Sequence, residues 1–176
     1  MKRLLQISRV LSWFNIVFWS FFILLFLLGI LVTGNLPMLI AVFFLTAVIL
    51  HNYAALQLYK SLWYTNIPLA PRTASGLRFI GFGAMMVGIV ISIQSVTVLQ
   101  NIPELVKASQ SQMPPQTLEQ MKHVDVGRIF KIIFGFILIS GIAVTANVVV
   151  NLRLLRWYYV LQQEEQKKQQ QDPDLN

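Results

Sequence analysis

The sequence contains no cysteine among its 176 residues. Disulfide bonds, thiolate metal sites and paired-cysteine redox chemistry are therefore excluded. Acidic residues are scarce, with seven against fourteen basic ones, and none of the seven falls within a long apolar stretch. Because coupling to protons or sodium ions normally uses a carboxylate within the membrane, this distribution disfavours an ion-driven antiporter.

Catalytic motifs are also missing. The chain has no H-E-x-x-H, no G-x-S-x-G and no paired carboxylates, which are the patterns that common hydrolases and metalloenzymes need. His123 stands near Glu119 and Asp125, but one histidine with two flexible carboxylates is a weak set of metal ligands. We therefore predict a protein that is not an enzyme and that holds no metal or cofactor.

Four apolar stretches dominate the sequence, and 56% of all residues are hydrophobic. The stretches cover about residues 10–32, 36–59, 79–99 and 129–150. Each reaches the ~20 residues that a helix needs to cross the hydrocarbon layer of a bilayer. The sequence predicts an all-α integral membrane protein, an up-and-down four-helix bundle over residues 1–160, followed by a polar tail over 161–176.

Basic residues predict the orientation of this bundle. Eight of them flank the apolar stretches on one side of the membrane: Lys2, Arg3, Arg9, Lys60, Arg72, Arg78, Arg153 and Arg156. Lys and Arg near helix ends favour the cytoplasmic side, so both termini are expected to be cytoplasmic. The first apolar stretch is too long for a signal peptide and lacks a small-residue cleavage site, which favours a bacterial plasma membrane. Attraction to anionic lipid headgroups accounts for the net charge of +7, and no nucleic-acid partner is indicated.

The connections between the stretches carry turn and capping residues. Gly34 or Asn35 is suited to the positive φ that ends a helix, and Thr73 or Ser75 is suited to cap the third helix. The external segment 101–127 is long enough for two short interfacial helices. The first is predicted to begin with a capping box of Asn101 and Glu104, and the second to follow Pro114-Pro115.

Small residues recur along the third apolar stretch at steps of three and four, which places them on one helix face. They are Gly81, Ala84, Gly88, Ser92 and Ser95. Small side chains allow helix backbones to approach closely in a membrane. The pattern predicts a helix-packing seam, through which the chain is expected to contact a membrane protein partner or a second copy of itself.

Polar residues recur at similar spacing on three other helices. Ser8, Ser12, Asn15 and Trp19 share one face, as do Ser140, Ala143, Asn147 and Asn151, and His51 and Asn52 lie at a similar depth. The candidate intramembrane polar pocket comprises Asn15, His51, Asn52, Asn147 and Asn151. His51 is expected to contact Asn15 and Asn147. Two interpretations remain open: a functional pocket, as ionisable residues within a membrane often form, or hydrogen bonds that hold the helices in register.

Together these features favour a non-enzymatic accessory or interaction subunit in the lipid bilayer. It is expected to contact a membrane protein partner, or a second copy of itself, through the seam, the external segment or the tail. The alternative is a small-molecule or lipid-handling permease with a cytoplasm-facing polar pocket around His51.

Overall fold

A computed structural model describes residues 2–64, 67–114, 116 and 124–171. Over these ranges the secondary structure is helical, without a strand, which confirms the all-α prediction. Five helices are described: α1 (Lys2–Thr33), α2 (Met38–Trp63), α3 (Pro71–Gln100), α4 (Ile102–Ser111) and α5 (Val126–Gln171). Helices α1, α3 and α5 extend beyond the predicted apolar stretches at both ends, whereas α2 begins two residues later and ends four residues later than its predicted stretch.

The four long helices are each long and apolar enough to span a membrane, as expected for a helical membrane protein. The longest, α5, has 46 residues and is ~69 Å long at ~1.5 Å per residue. Because a hydrocarbon layer is only ~30 Å thick, a large part of α5 extends beyond it. Helix α5 continues through the polar tail as far as Gln171, where the described chain ends.

The connection between α1 and α2 is a tight turn. Gly34 has a φ of +66°, as predicted, and its N–H donates to the carbonyl of Ile30 at 2.8 Å. Only glycine adopts this left-handed conformation without a steric penalty. The four residues that separate the helices make α1 and α2 antiparallel neighbours.

Two predicted helix caps are wrong. The Asn101 side chain makes no cap bond, because its Nδ2 instead donates back to the Thr97 carbonyl at 2.9 Å. Helix α3 begins at Pro71, a proline that fits a first turn because it has no N–H to leave unpaired, so Thr73 and Ser75 lie inside the helix.

The predicted second external helix after Pro114-Pro115 lies almost entirely outside the described residues.

The chain divides into two compact units, residues 1–87 with 143–176, and residues 88–142. The first unit holds α1, α2, the beginning of α3 and the end of α5. Its hydrophobic core comprises Leu5, Leu58, Tyr59, Leu69, Ala74, Leu77, Leu154, Leu155 and Tyr158. The second unit holds the end of α3, α4 and the beginning of α5.

The hairpin of α1 and α2 is packed at one end only. The buried residues of α1 are Leu5, Ser8, Ser12, Asn15 and Trp19, and the buried residues of α2 begin at Leu45. Residues 20–44 therefore contain no buried side chain. We call this part the outer hairpin. Its exposed side chains are almost all apolar, as a surface in contact with lipid requires.

Candidate polar cluster

The five residues of the predicted pocket are all fully buried in the first unit. Asn15 lies on α1, His51 and Asn52 on α2, and Asn147 and Asn151 on α5. Ser8 and Ser12 of α1 are buried beside them. We call these seven residues the polar cluster. The regular spacing of three and four residues explains their burial, since it keeps each polar stripe on the inner face of its helix.

Asn52 is the centre of the polar cluster. Its Oδ1 accepts hydrogen bonds from Asn147 Nδ2 at 2.6 Å and from Asn15 Nδ2 at 3.3 Å. Its own Nδ2 donates to the Val48 carbonyl one turn earlier, at 2.7 Å. One side chain of α2 thus binds α1 and α5 simultaneously, while its amide group is held by its own helix.

Two further hydrogen bonds join α1 directly to α5. Asn147 Nδ2 also donates to Ser12 Oγ at 3.0 Å, and Ser8 Oγ donates to Asn151 Oδ1 at 2.5 Å. The serines and asparagines are spaced by one helical turn on their respective helices. Any sliding of α1 along α5 would break both bonds, so this arrangement specifies the register of the two helices.

His51 does not join the asparagines. Its ring lies against α3 at Gly81, where an added Cβ would stand 3.0 Å from both Nδ1 and Cε1 of the imidazole. The backbone of Leu77 is close enough to interact with the ring, but neither ring nitrogen completes a hydrogen bond. The prediction that Asn15 and Asn147 are the partners of His51 is therefore wrong for hydrogen bonds. The Nδ2 atoms of both asparagines donate to Asn52 Oδ1 instead, and their Oδ1 atoms make no hydrogen bond.

Several buried polar atoms of this region lack a hydrogen-bond partner. They are both ring nitrogens of His51, Asn15 Oδ1, Trp19 Nε1, Asn147 Oδ1 and Asn151 Nδ2. An unpaired buried polar group costs about 1–3 kcal/mol. Donors and acceptors are both represented, so the region has the chemistry to bind a small polar molecule or ordered water.

The predicted helix-packing seam of α3 is mostly buried within the chain. Gly81, Ala84, Gly88 and Ser95 are buried, and Ser92 is half-buried. In the first unit, Gly81 receives His51 of α2 and Val148 of α5. In the second unit, a Cβ on Gly141 of α5 would stand 2.7 Å from Ser92 Oγ and 3.0 Å from the Gly88 carbonyl oxygen. Helices α2 and α5 of the same chain thus pack against the seam.

Sequence reasoning missed Gly141. Its signal was available, because a glycine in the middle of an apolar stretch lowers helix stability and commonly marks a close approach of two backbones. The spacing of Ser140, Ala143, Asn147 and Asn151 predicts only the polar face of this helix, and Gly141 is not part of that face. Gly141 is the residue that lets α5 approach the seam within the second unit.

One end of the first unit is rich in cations, and we call it the basic end. It carries residues 2–9, 59–64, 67–78 and 151–163. Here the hydroxyl oxygen of Tyr158 accepts hydrogen bonds from the Leu69 N–H at 2.9 Å and from Gln162 Nε2 at 2.7 Å. The bond from Leu69 holds the segment before α3 against α5. Arg9 lies over the ring of Tyr59, and Arg78 over the ring of Tyr159, as expected for aromatic residues at a membrane interface.

Within the described ranges, no three histidine or acidic side chains come close enough together to hold a metal ion. His123 and Glu119 lie outside these ranges. Comparisons of the chain with known protein families, with curated proteins and with solved structures found no match.

Proposed function

We propose that this protein is a non-enzymatic accessory or interaction subunit of a membrane assembly, and that the polar cluster is structural. The observation that carries the proposal is the set of direct hydrogen bonds that Asn52 and Asn147 make between α1, α2 and α5. Helices joined in this way form a rigid base, whereas alternating access requires one group of helices to move against another. A rigid base suits a protein that presents a contact surface.

The contact surface that we assign is the polar extension of α5. Beyond Gln162 its described side chains are exposed: Gln163, Glu164, Glu165, Gln166, Lys167 and Gln170. This part buries no apolar face, and a short isolated helix is barely stable in water, so its order comes from continuity with the packed part of α5. The hydrogen bond from the Leu69 N–H to the Tyr158 hydroxyl fixes the direction in which α5 continues into the extension. A fixed, fully polar helix is suited to a partner that binds through hydrogen bonds and charges.

We further propose a bacterial plasma membrane, with the basic end and both termini in the cytoplasm. Hydrogen bonds of Ser8 with Asn151 and of Leu69 with Tyr158 support one common end for the basic flanks of α1, α3 and α5. The excess of Lys and Arg at this end favours the cytoplasmic side. Fusion of a reporter that is active only in the cytoplasm to the C-terminus tests the orientation, and an inactive fusion would contradict it.

Mass spectrometry of the full chain, extracted gently from its native membrane, tests the subunit proposal. We expect a second protein at fixed stoichiometry. A variant that ends at Gln162, and so lacks the extension, is expected to lose that partner while retaining its fold. A double substitution in the outer hairpin, Leu24→Ala with Leu28→Ala, is the control and is expected to retain it. Recovery of the intact chain alone, or only as a homomer, contradicts the proposal.

The unpaired atoms favour a second candidate function, a permease for a small polar molecule or lipid. Both ring nitrogens of His51 and four further buried polar atoms are available to such a substrate. The same mass spectra test it through comparison of the parent chain with His51→Leu. A small molecule retained only by the parent favours the permease, whereas identical spectra favour a structural role for His51.

A further inference from the structure

A groove of about 500 Å3 lies between α3 and α5 at the basic end. Arg78 of α3 forms one wall. The other wall is one face of α5, and its residues are Leu152, Leu155, Arg156, Tyr159, Val160 and Gln163. The groove thus combines two guanidinium groups with a mainly aliphatic surface. All of these residues belong to the first unit.

The two arginines are available to an anion. Both are exposed, and no carboxylate in the described part of the chain forms an ion pair with either. The guanidinium carbon of Arg78 lies 5.1 Å from the centre of the Tyr159 ring, which positions this cation at the groove without neutralising it. Guanidinium groups bind phosphate oxygens through paired N–H donors, which gives both strength and orientation.

The two arginines lie at the depth of lipid headgroups. Arg78 directly precedes Phe79, where the apolar stretch of α3 begins. Arg156 lies six residues after the last residue of the stretch 129–150, or ~9 Å along the helix. A headgroup layer occupies ~5–8 Å on each side of the hydrocarbon. The backbone of Arg156 lies just outside this layer, and its side chain is long enough to place the guanidinium group within it. Leu152 and Leu155 lie between Arg156 and the hydrocarbon. The apolar part of the groove thus lies at the level of the acyl chains, and its cationic part lies at the level of the headgroup phosphate.

We propose that this groove is a binding site for an anionic phospholipid. Its phosphate lies between Arg78 and Arg156, and its acyl chain continues along Leu152. Charge complementarity selects the anionic headgroup, since a zwitterionic lipid brings its own cation to a site that already holds two. This inference goes beyond the proposed subunit function and is independent of any protein partner.

Native mass spectrometry of the purified full chain tests the site, with phosphatidylglycerol and phosphatidylcholine of identical acyl chains as probes. The double variant R78Q/R156Q removes both groove cations. The matched control R72Q/R153Q removes one exposed arginine from each of the same two helices, and neither lines the groove. A cation near a membrane surface contributes about fivefold in affinity, ~1 kcal/mol. Because R78Q/R156Q removes two such cations, it is expected to retain roughly 25-fold less phosphatidylglycerol than the parent chain. The loss in the control is expected to stay below about fivefold.

Three results would overturn the proposal. The first is an equal loss of phosphatidylglycerol in both double variants, which would mean general attraction to a basic surface. The second is equal retention of phosphatidylcholine and phosphatidylglycerol by the parent chain. The third is retention of inorganic phosphate at the same concentration as strongly as the lipid, which would assign the site to a free anion. If R78Q/R156Q fails to fold, R156Q alone is used, because Arg156 is exposed, and a loss below about twofold contradicts the site.

Discussion

The two compact units hold their helices together by different means. In the first unit, asparagine and serine side chains reach between α1, α2 and α5 and bind one another directly. In the second unit, the absence of a side chain at Gly141 lets the backbone of α5 approach Ser92 Oγ and the Gly88 carbonyl oxygen of α3. The stability of the first arrangement depends on the direction of hydrogen-bond donors and acceptors. The stability of the second depends on the distance between α3 and α5. A polar change should therefore damage the first unit, whereas an added methyl group should damage the second.

The largest effect is expected for Gly141→Ala. The new Cβ would collide with Ser92 Oγ and with the carbonyl oxygen of Gly88, which cannot move without shifting the α3 backbone. Overpacking of this kind costs about 1–3 kcal/mol, and backbone contact places Gly141→Ala at the upper end. The measurement is the free energy of unfolding of the purified protein in a denaturing-detergent titration.

Gly135→Ala on the same helix is the control for Gly141→Ala. No atom lies within 4 Å of its added Cβ, and alanine is the better helix former by up to about 1 kcal/mol. We expect unchanged or slightly higher stability. Equal destabilisation by the two substitutions would mean that the approach of α5 to α3 is not close.

The next effect is expected for Asn52→Ala. The substitution removes the acceptor of Asn147 and Asn15 and leaves two buried amide groups with fewer partners. Hydrogen bonds between membrane helices are worth ~0.6 kcal/mol on average and at most ~1.7, so a loss of about 1–2 kcal/mol is expected in the same titration. Thr46→Ala, which removes an exposed hydroxyl bonded to the Val42 carbonyl of α2, should change stability by less than about 0.5 kcal/mol. An equal loss in both variants would show that Asn52 contributes no bond between helices.

A smaller effect is expected for Gly81→Ala. Gly81 is a close-approach glycine of α3, and it contacts His51 of the polar cluster. The new Cβ would stand 3.0 Å from the His51 ring, and a side chain can shift where a backbone cannot. We expect a loss of about 1 kcal/mol, and we expect prior substitution His51→Ala to remove most of it. Gly83→Ala, with open space around its Cβ, is the matched control. A Gly81→Ala penalty that persists without the His51 ring would contradict the contact.

The smallest effect is expected for Leu28→Ala in the outer hairpin. Leu28 is about half exposed at 49% and lies in a part of the hairpin where no side chain is fully buried. In the purified chain the substitution should cost no more than about 0.5 kcal/mol. A loss above about 2 kcal/mol, which is typical of a buried leucine, would mean that a second copy of the chain covers this surface.

Much of the fold follows from two features of the sequence, the length of the apolar stretches and the spacing of polar residues. The lengths of the apolar stretches predict the four long helices, since each must cross the same hydrocarbon thickness. The spacing of Ser8, Ser12 and Asn15 predicts their common buried face, because a step of three or four residues returns to the same side of a helix. Both inferences need no knowledge of the neighbouring helices.

The partners within the polar cluster did not follow from the sequence. His51 and Asn52 are adjacent, so they point ~100° apart on α2, and only one of them can face α1 and α5. The rotation of α2 about its own axis decides which of the two residues faces α1 and α5. That rotation depends on how α2 packs against all of its neighbouring helices. The Asn101 cap failed for a local reason, because an asparagine side chain can equally bond the carbonyl four residues earlier.

The coupling free energy between Asn52 and Asn147 tests most directly the claim that the polar cluster fastens the helices. It is obtained from the unfolding free energies of the parent chain, Asn52→Ala, Asn147→Ala and the double variant. For the bond of 2.6 Å between these side chains, we predict a favourable coupling of about 0.5–1.7 kcal/mol without any added ligand. Additive losses, with coupling near zero, would contradict the claim and would leave the unpaired atoms around His51 as the main feature of the region.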